Sequence, residues 1–126
     1  MLRDDADGMR FQLAGGNREN ADRDWAHTLL RESAEECQVT LATDSIAYLG
    51  HQVVTGDPQA PGPYAQVRLF GVIQAFGLPA ADPDGGHLYR RLMAPVPRAA
   101  ELLAWGLVGS LQAQAARRAA RRLGLP

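Results

Sequence analysis

Two side-chain patterns share one helical stretch, from about Asp22 or Asp24 to about Gln38, and no other feature restricts the fold so much. Ala26, Leu29, Leu30, Ser33, Ala34 and Cys37 recur at the spacing of one helix face, which predicts a small, apolar stripe that docks on another layer. Glu32, Glu35 and Glu36 recur at offsets of three and four and point away from that stripe. Like charges so placed repel by about 0.2–0.5 kcal/mol per pair in an isolated helix. A divalent cation removes that repulsion, and carboxylate oxygens are the hard ligands that Mg2+ or Mn2+ takes. The expectation is a helix packed on a sheet with its acids held toward a cleft. Asp22 or Asp24 can cap its N-terminus and meet the positive end of its dipole.

The rest of the chain supplies the layers for such a helix to dock on. At 126 residues, 46% of them hydrophobic, the chain predicts one domain with one core. Met1–Met9 reads as a loose acidic leader. Arg10–Ala14, with Phe11 and Leu13 alternating, reads as a short strand entering a Gly15-Gly16 turn. Ser45–Val54 and Tyr64–Phe76 carry the β-branched and aromatic alternation of strands, and Leu88–Met93 a shorter one. Thr55–Pro63 and Leu78–Gly86 are Pro- and Gly-rich loops. From 97 to 123 a C-terminal helix is expected, its stripe of Ala99, Leu102, Leu103, Leu107, Leu111, Ala115 and Ala119 running past Gly106 and Gly109. Strand, helix, several strands and helix make an α/β or α+β layered domain, thin in strands at its N-terminal side.

Charge and cysteine content exclude several classes. The net charge of −1 gives no global field for nucleic acid or an anionic membrane. No apolar run is long enough to span a bilayer, and the acidic start does not read as a signal peptide. A single cysteine, Cys37, cannot form an intrachain disulfide and fits a reducing cytoplasm. All thirteen basic residues are arginine, which with abundant alanine fits a GC-rich bacterial genome and says nothing of function.

Gly15-Gly16, an acid at Glu19 or Asp22, then Arg31-Glu32, Glu35-Glu36 and Val39 together resemble the loop–helix–loop signature of the Nudix hydrolases. The resemblance spans roughly Phe11–Val39. It implies an α/β/α sandwich with a mixed sheet, and cleavage of nucleoside diphosphates linked to another moiety with Mg2+ or Mn2+. It also implies that Glu32, Glu35 and Glu36 hold the metal, that Arg31 steadies an acid of the cluster, and that the glycines let the loop turn beside cation and phosphates. The chain departs from the pattern in places. Eight residues separate Asp22 from Arg31, one more than usual, and aspartate replaces the usual glutamate. Ser33 stands at an aliphatic position. Gln38 replaces a glycine, although glutamine resists positive φ. Strands that usually precede the motif are shortened or missing, so the start is truncated, a second copy completes the sheet as a homodimer, or the variant is minimal.

Other residues carry weaker readings. Arg68 in the strand Gln66–Phe70 could reach a substrate phosphate, and Asp82-Pro-Asp-Gly-Gly-His could be a loop that covers a site or a plain surface turn. Arg117, Arg118, Arg121 and Arg122 suit a helix C-terminus, with phosphate or RNA contact as the alternative. Cys37 reads as a small hydrophobe. Two function classes result: a metal-dependent hydrolase of a nucleotide-type small molecule, or a non-catalytic Nudix-fold module that binds nucleotide or a protein.

Overall fold

The computed structural model describes residues 1–5 and 7–126. In chain order its elements are β1 (Leu2–Asp4), β2 (Phe11–Gln12), α1 (Trp25–Cys37), β3 (Val39–Leu41), β4 (Ala47–Val54), β5 (Tyr64–Phe70), β6 (Ile73–Phe76), β7 (Arg91–Leu92), α2 (Val96–Leu103) and α3 (Gly106–Arg122). They form a mixed α/β fold of three helices and three small sheets, ordered β2-β1-β7, β3-β6 and β4-β5. Every pairing among the described residues is antiparallel, in contrast to the mixed sheet expected. Parallel neighbours need a long crossover, and the short links from β1 to β2 and from β4 to β5 leave those pairs only the antiparallel arrangement.

The N-terminal segment corrects the sequence reading. Leu2–Asp4 is not a loose leader but the centre of a three-stranded sheet, and Leu2 is 1% exposed. Its two charged residues are buried because each has a distant partner. Arg3 pairs with Glu36, and the Asp4 carboxylate accepts from Arg90 Nε at 2.8 Å. Burial alone would raise the Asp4 pKa, but the bonds from Arg90 outweigh it and lower it. The link to β2 closes through the Gly8 N–H on the Asp5 carbonyl, with Gly8 at φ +68°.

Helix α1 starts as the sequence implies. Asp24 caps it, accepting the His27 N–H at 2.8 Å. It stops at Gln38 in the left-handed region, φ 48° and ψ 45°. A side chain there costs about 1–2 kcal/mol. The Gln38 backbone N–H on Ala34 and side-chain amide on the Glu35 carbonyl (2.7 Å) offset that, so glutamine does the work of the missing glycine. The stripe is only partly as expected. Ser33 and Cys37 are buried and Leu29 and Leu30 half-buried, but Ala34 is exposed. Thr28, Glu32 and Glu36 are buried as well, so the acidic face is itself covered by chain rather than open.

Two longer elements break at glycine. Tyr64–Phe76 is two strands, β5 and β6, separated at Gly71, where a Cβ would press Leu41 and Ile46 at 3.2 and 3.3 Å. The expected helix 97–123 is two helices. Trp105 leaves the helical path to donate its indole N–H to the Phe11 carbonyl at 2.8 Å, and Gly106 restarts the chain at φ +62°. Gly109 then lets α3 pass close, because a Cβ there would sit 2.2 Å from the Leu103 carbonyl. The break re-phases the stripe, which leaves Leu107 exposed. One core gathers Leu2, Ala99, Ala100, Leu103 and Ala113 between the first sheet and α2–α3. A second, of Cys37, Val39 and Leu41, seats α1. No described helix is long and apolar enough to cross a membrane.

Candidate functional site

The loop between β2 and α1 folds back over the acidic face of α1. The Gly15 N–H donates to Glu36 Oε2 at 3.0 Å. Gly16 lies against Glu32 so closely that a Cβ would fall 2.1 Å from Glu32 Oε1. Gly16 is thus needed where the loop meets Glu32, whereas a Cβ at Gly15 would meet nothing within 4 Å.

Arg31 organises the rest. Its Nη1 lies 2.9 Å from Glu32 Oε1, 3.0 Å from Glu35 Oε2 and 3.2 Å from Glu19 Oε1. Its Nη2 donates to Asp22 Oδ2 at 3.0 Å and to the Asn17 carbonyl at 2.9 Å. One guanidinium therefore contacts four carboxylates, a task its planar fork of five donors suits, although its single charge cannot neutralise them all. Asp22 also accepts the Glu19 N–H and the Thr28 hydroxyl, both at 3.0 Å, which ties the loop to the first turn of α1. The hydrogen bonds from Arg31, then that from Glu19, hold the Asp22 carboxyl well below the usual range despite its burial.

Glu36 has a different anchor. Arg3 grips it with two bonds, Nη2–Oε1 at 2.7 Å and Nε–Oε2 at 3.1 Å, and the Arg3 guanidinium stacks 4.5 Å from the Tyr89 ring centre. Glu32 is the acid most pressed toward its neutral form. Burial raises its pKa, Glu36 and Glu35 add to the rise, and Arg31 opposes it.

The three glutamates do not themselves converge into one ligand set. Among the described residues, the acidic oxygens within 4.8 Å of one another belong to Glu35, Asp82 and Asp84. Asp82 and Asp84 come from the loop before β7, which is fastened by the Asp82 N–H on the His87 carbonyl and the Asp84 N–H on Asp82 Oδ1. The loop named in the sequence thus does approach α1. These donors are hard carboxylate oxygens, and they fit Mg2+ or Mn2+. Arg68 stands apart. It binds Gln52 and Gln66 and lines a cavity that none of these acids borders. Cys37 is 2% exposed, and burial pushes its thiol up to about 11, which suits a packing role. Sequence reasoning missed Arg3 and Tyr89, since nothing local marks a residue that reaches across 33 positions. Comparison with protein-family models, curated proteins and solved structures finds no match to this chain.

Proposed function

We propose that this protein is a Nudix-type hydrolase, cleaving the diphosphate linkage of a nucleoside diphosphate derivative or nucleoside triphosphate with Mg2+ or Mn2+. The observation that carries the reading is the Gly15-Gly16 loop seated on a buried row of glutamates, with Asp82 and Asp84 beside Glu35. The proposal includes the α/β/α sandwich, here with shortened N-terminal strands, and a cytoplasmic setting that suits a nucleotide substrate and a lone buried cysteine.

Each side chain then has a task. Glu35, Asp82 and Asp84 hold the cation, with Glu32 and Glu36 supplying further negative charge beside it. When bound, the cation supplies Lewis acidity toward the phosphate oxygens and offsets charge developing on them. Glu32, whose proton affinity is raised, accepts the proton of the attacking water. Arg31 orients Glu32 and Glu35, and Arg3 fixes Glu36.

The test is a screen of nucleoside triphosphates and nucleoside diphosphate conjugates with Mg2+ or Mn2+, reading released monophosphate and phosphate. Metal-dependent release of a monophosphate is expected, and chelation should abolish it. The second reading, a module that binds without turnover, is favoured by one observation: Arg31 already engages one carboxylate oxygen each of Glu19, Glu32 and Glu35. Calorimetric nucleotide binding with no product from any substrate would establish it and remove the hydrolase. Within the hydrolase reading, Gly16→Ala should displace the Glu32 carboxylate and lower kcat/KM by about 10–100-fold, with the fold kept by circular dichroism. Unchanged kcat/KM would mean that this carboxylate need not sit where it does.

A further inference from the structure

A second cavity, of about 430 Å3, opens between the β4–β5 ribbon and α3, and no carboxylate lines it. Four guanidinium groups do: Arg68 from β5 and Arg117, Arg118 and Arg121 from α3. His51 and Gln52 of β4 add side chains able to donate. Elsewhere the buried Arg3 is paired with Glu36 and the half-buried Arg31 with Asp22. None of the four cavity arginines has an ion pair among the described residues. The innermost, Arg68, rests on two neutral glutamine carbonyls, and burial lowers its pKa. Like charges gathered in a half-enclosed site repel, and desolvating one of them is costly without an anionic partner.

The backbone is shaped to bring this cluster together. β4 carries a register shift between Tyr48 and Gly50, and Gly50 adopts φ +141°. A Cβ at Gly50 would lie 3.4 Å from Arg118 Nη1, so the bulge brings the ribbon against that arginine. The dipole at the C-terminus of α3 accounts for Arg121, which lies in its last turn, but not for Arg68 on a strand.

We propose that the cavity between the β4–β5 ribbon and α3 is a binding site for a small molecule carrying several phosphate groups, recognised by Arg68, Arg117, Arg118 and Arg121. Its volume lies in the range of small-molecule sites, and guanidinium groups pair with phosphate oxygens bidentately. The site is separate from the acidic face of α1 and stands whether or not that face is catalytic.

Calorimetric titration of the whole chain with inorganic tripolyphosphate, in excess chelator, isolates this site from any metal-dependent one. Saturable binding at one site is expected, weakening as salt rises. The variant Arg117→Gln/Arg121→Gln alters exposed side chains and should keep the melting temperature while weakening binding at least about tenfold. Glu32→Gln should bind tripolyphosphate as the wild type does. Absence of binding, or equal binding by the arginine variant, overturns the proposal. A single-stranded RNA that binds more tightly than tripolyphosphate, or than a nucleoside triphosphate, overturns the small-molecule assignment.

Discussion

Replacing Arg31 with leucine lowers the unfolding midpoint at neutral pH by at least about 10 °C, the largest stability effect expected of a single change outside the apolar cores. Four carboxylates share this guanidinium, and two of them, Asp22 and Glu32, are buried. Leucine fills the volume but leaves those acids without a counter-charge. Lysine restores only part of the loss, because a point charge cannot serve Asp22 and the glutamates through separate donors. The pH dependence follows from Asp22. Its folded-state pKa is depressed, so its contribution is present above the ordinary carboxylate value and is lost as pH falls below it. The gap between wild type and variant should therefore be widest near neutrality and narrow below about pH 4. Scanning calorimetry across pH decides it. A gap of only a few degrees, or one that widens in acid, would show that Arg31 is not the hub of the loop.

Replacing Glu32 with glutamine separates catalysis from folding. Metal-dependent turnover should fall by about 10²–10³-fold, because the amide keeps the shape but cannot accept a proton. Stability should move the other way with pH. A raised folded-state pKa means that Glu32 contributes stability below its unfolded value and loses it as pH climbs through the folded one. Glu32→Gln should thus gain on the wild type as pH rises from about 4 toward neutrality, as the cost of burying a charged carboxylate, and with it repulsion from Glu36 and Glu35, develops only in the wild type. The wild-type rate should rise with pH along a limb above the usual glutamate range, and the variant should lack that limb. Residual turnover that keeps the limb would assign the proton to another group.

What was legible in the sequence was local. The helix that carries the acids and its Asp24 cap depend on residues within a few positions, where periodicity and capping have direct physical meaning, whereas Gly15-Gly16 lies in an open loop and not in the expected turn. The β4 and β5 strands, read as Ser45–Val54 and the first part of Tyr64–Phe76, were visible for the same reason. Breaks were harder to see. Apolar spacing continues across Gly71 and Gly106, and only the close packing at Gly71, the positive φ of Gly106 and the indole bond of Trp105 show why the elements stop.

Burial of charge lay further from reach. Leu2–Asp4 reads as part of an acidic tail until Glu36 and Arg90 are seen to neutralise Arg3 and Asp4 from 33 and 86 residues away. The acidic face of α1 reads as turned toward a cleft, but nothing in the sequence shows that the Gly15-Gly16 loop and Arg3 cover it. From the sequence it could be settled that three glutamates share one side of a capped helix behind a Gly-Gly segment, since helical geometry needs only neighbouring residues. The tertiary structure alone decided which arginine holds which acid, that Asp82 and Asp84 meet Glu35, and that Arg68 faces other arginines instead. Electrostatic partners are chosen by distance in space, and a chain's order does not encode that distance.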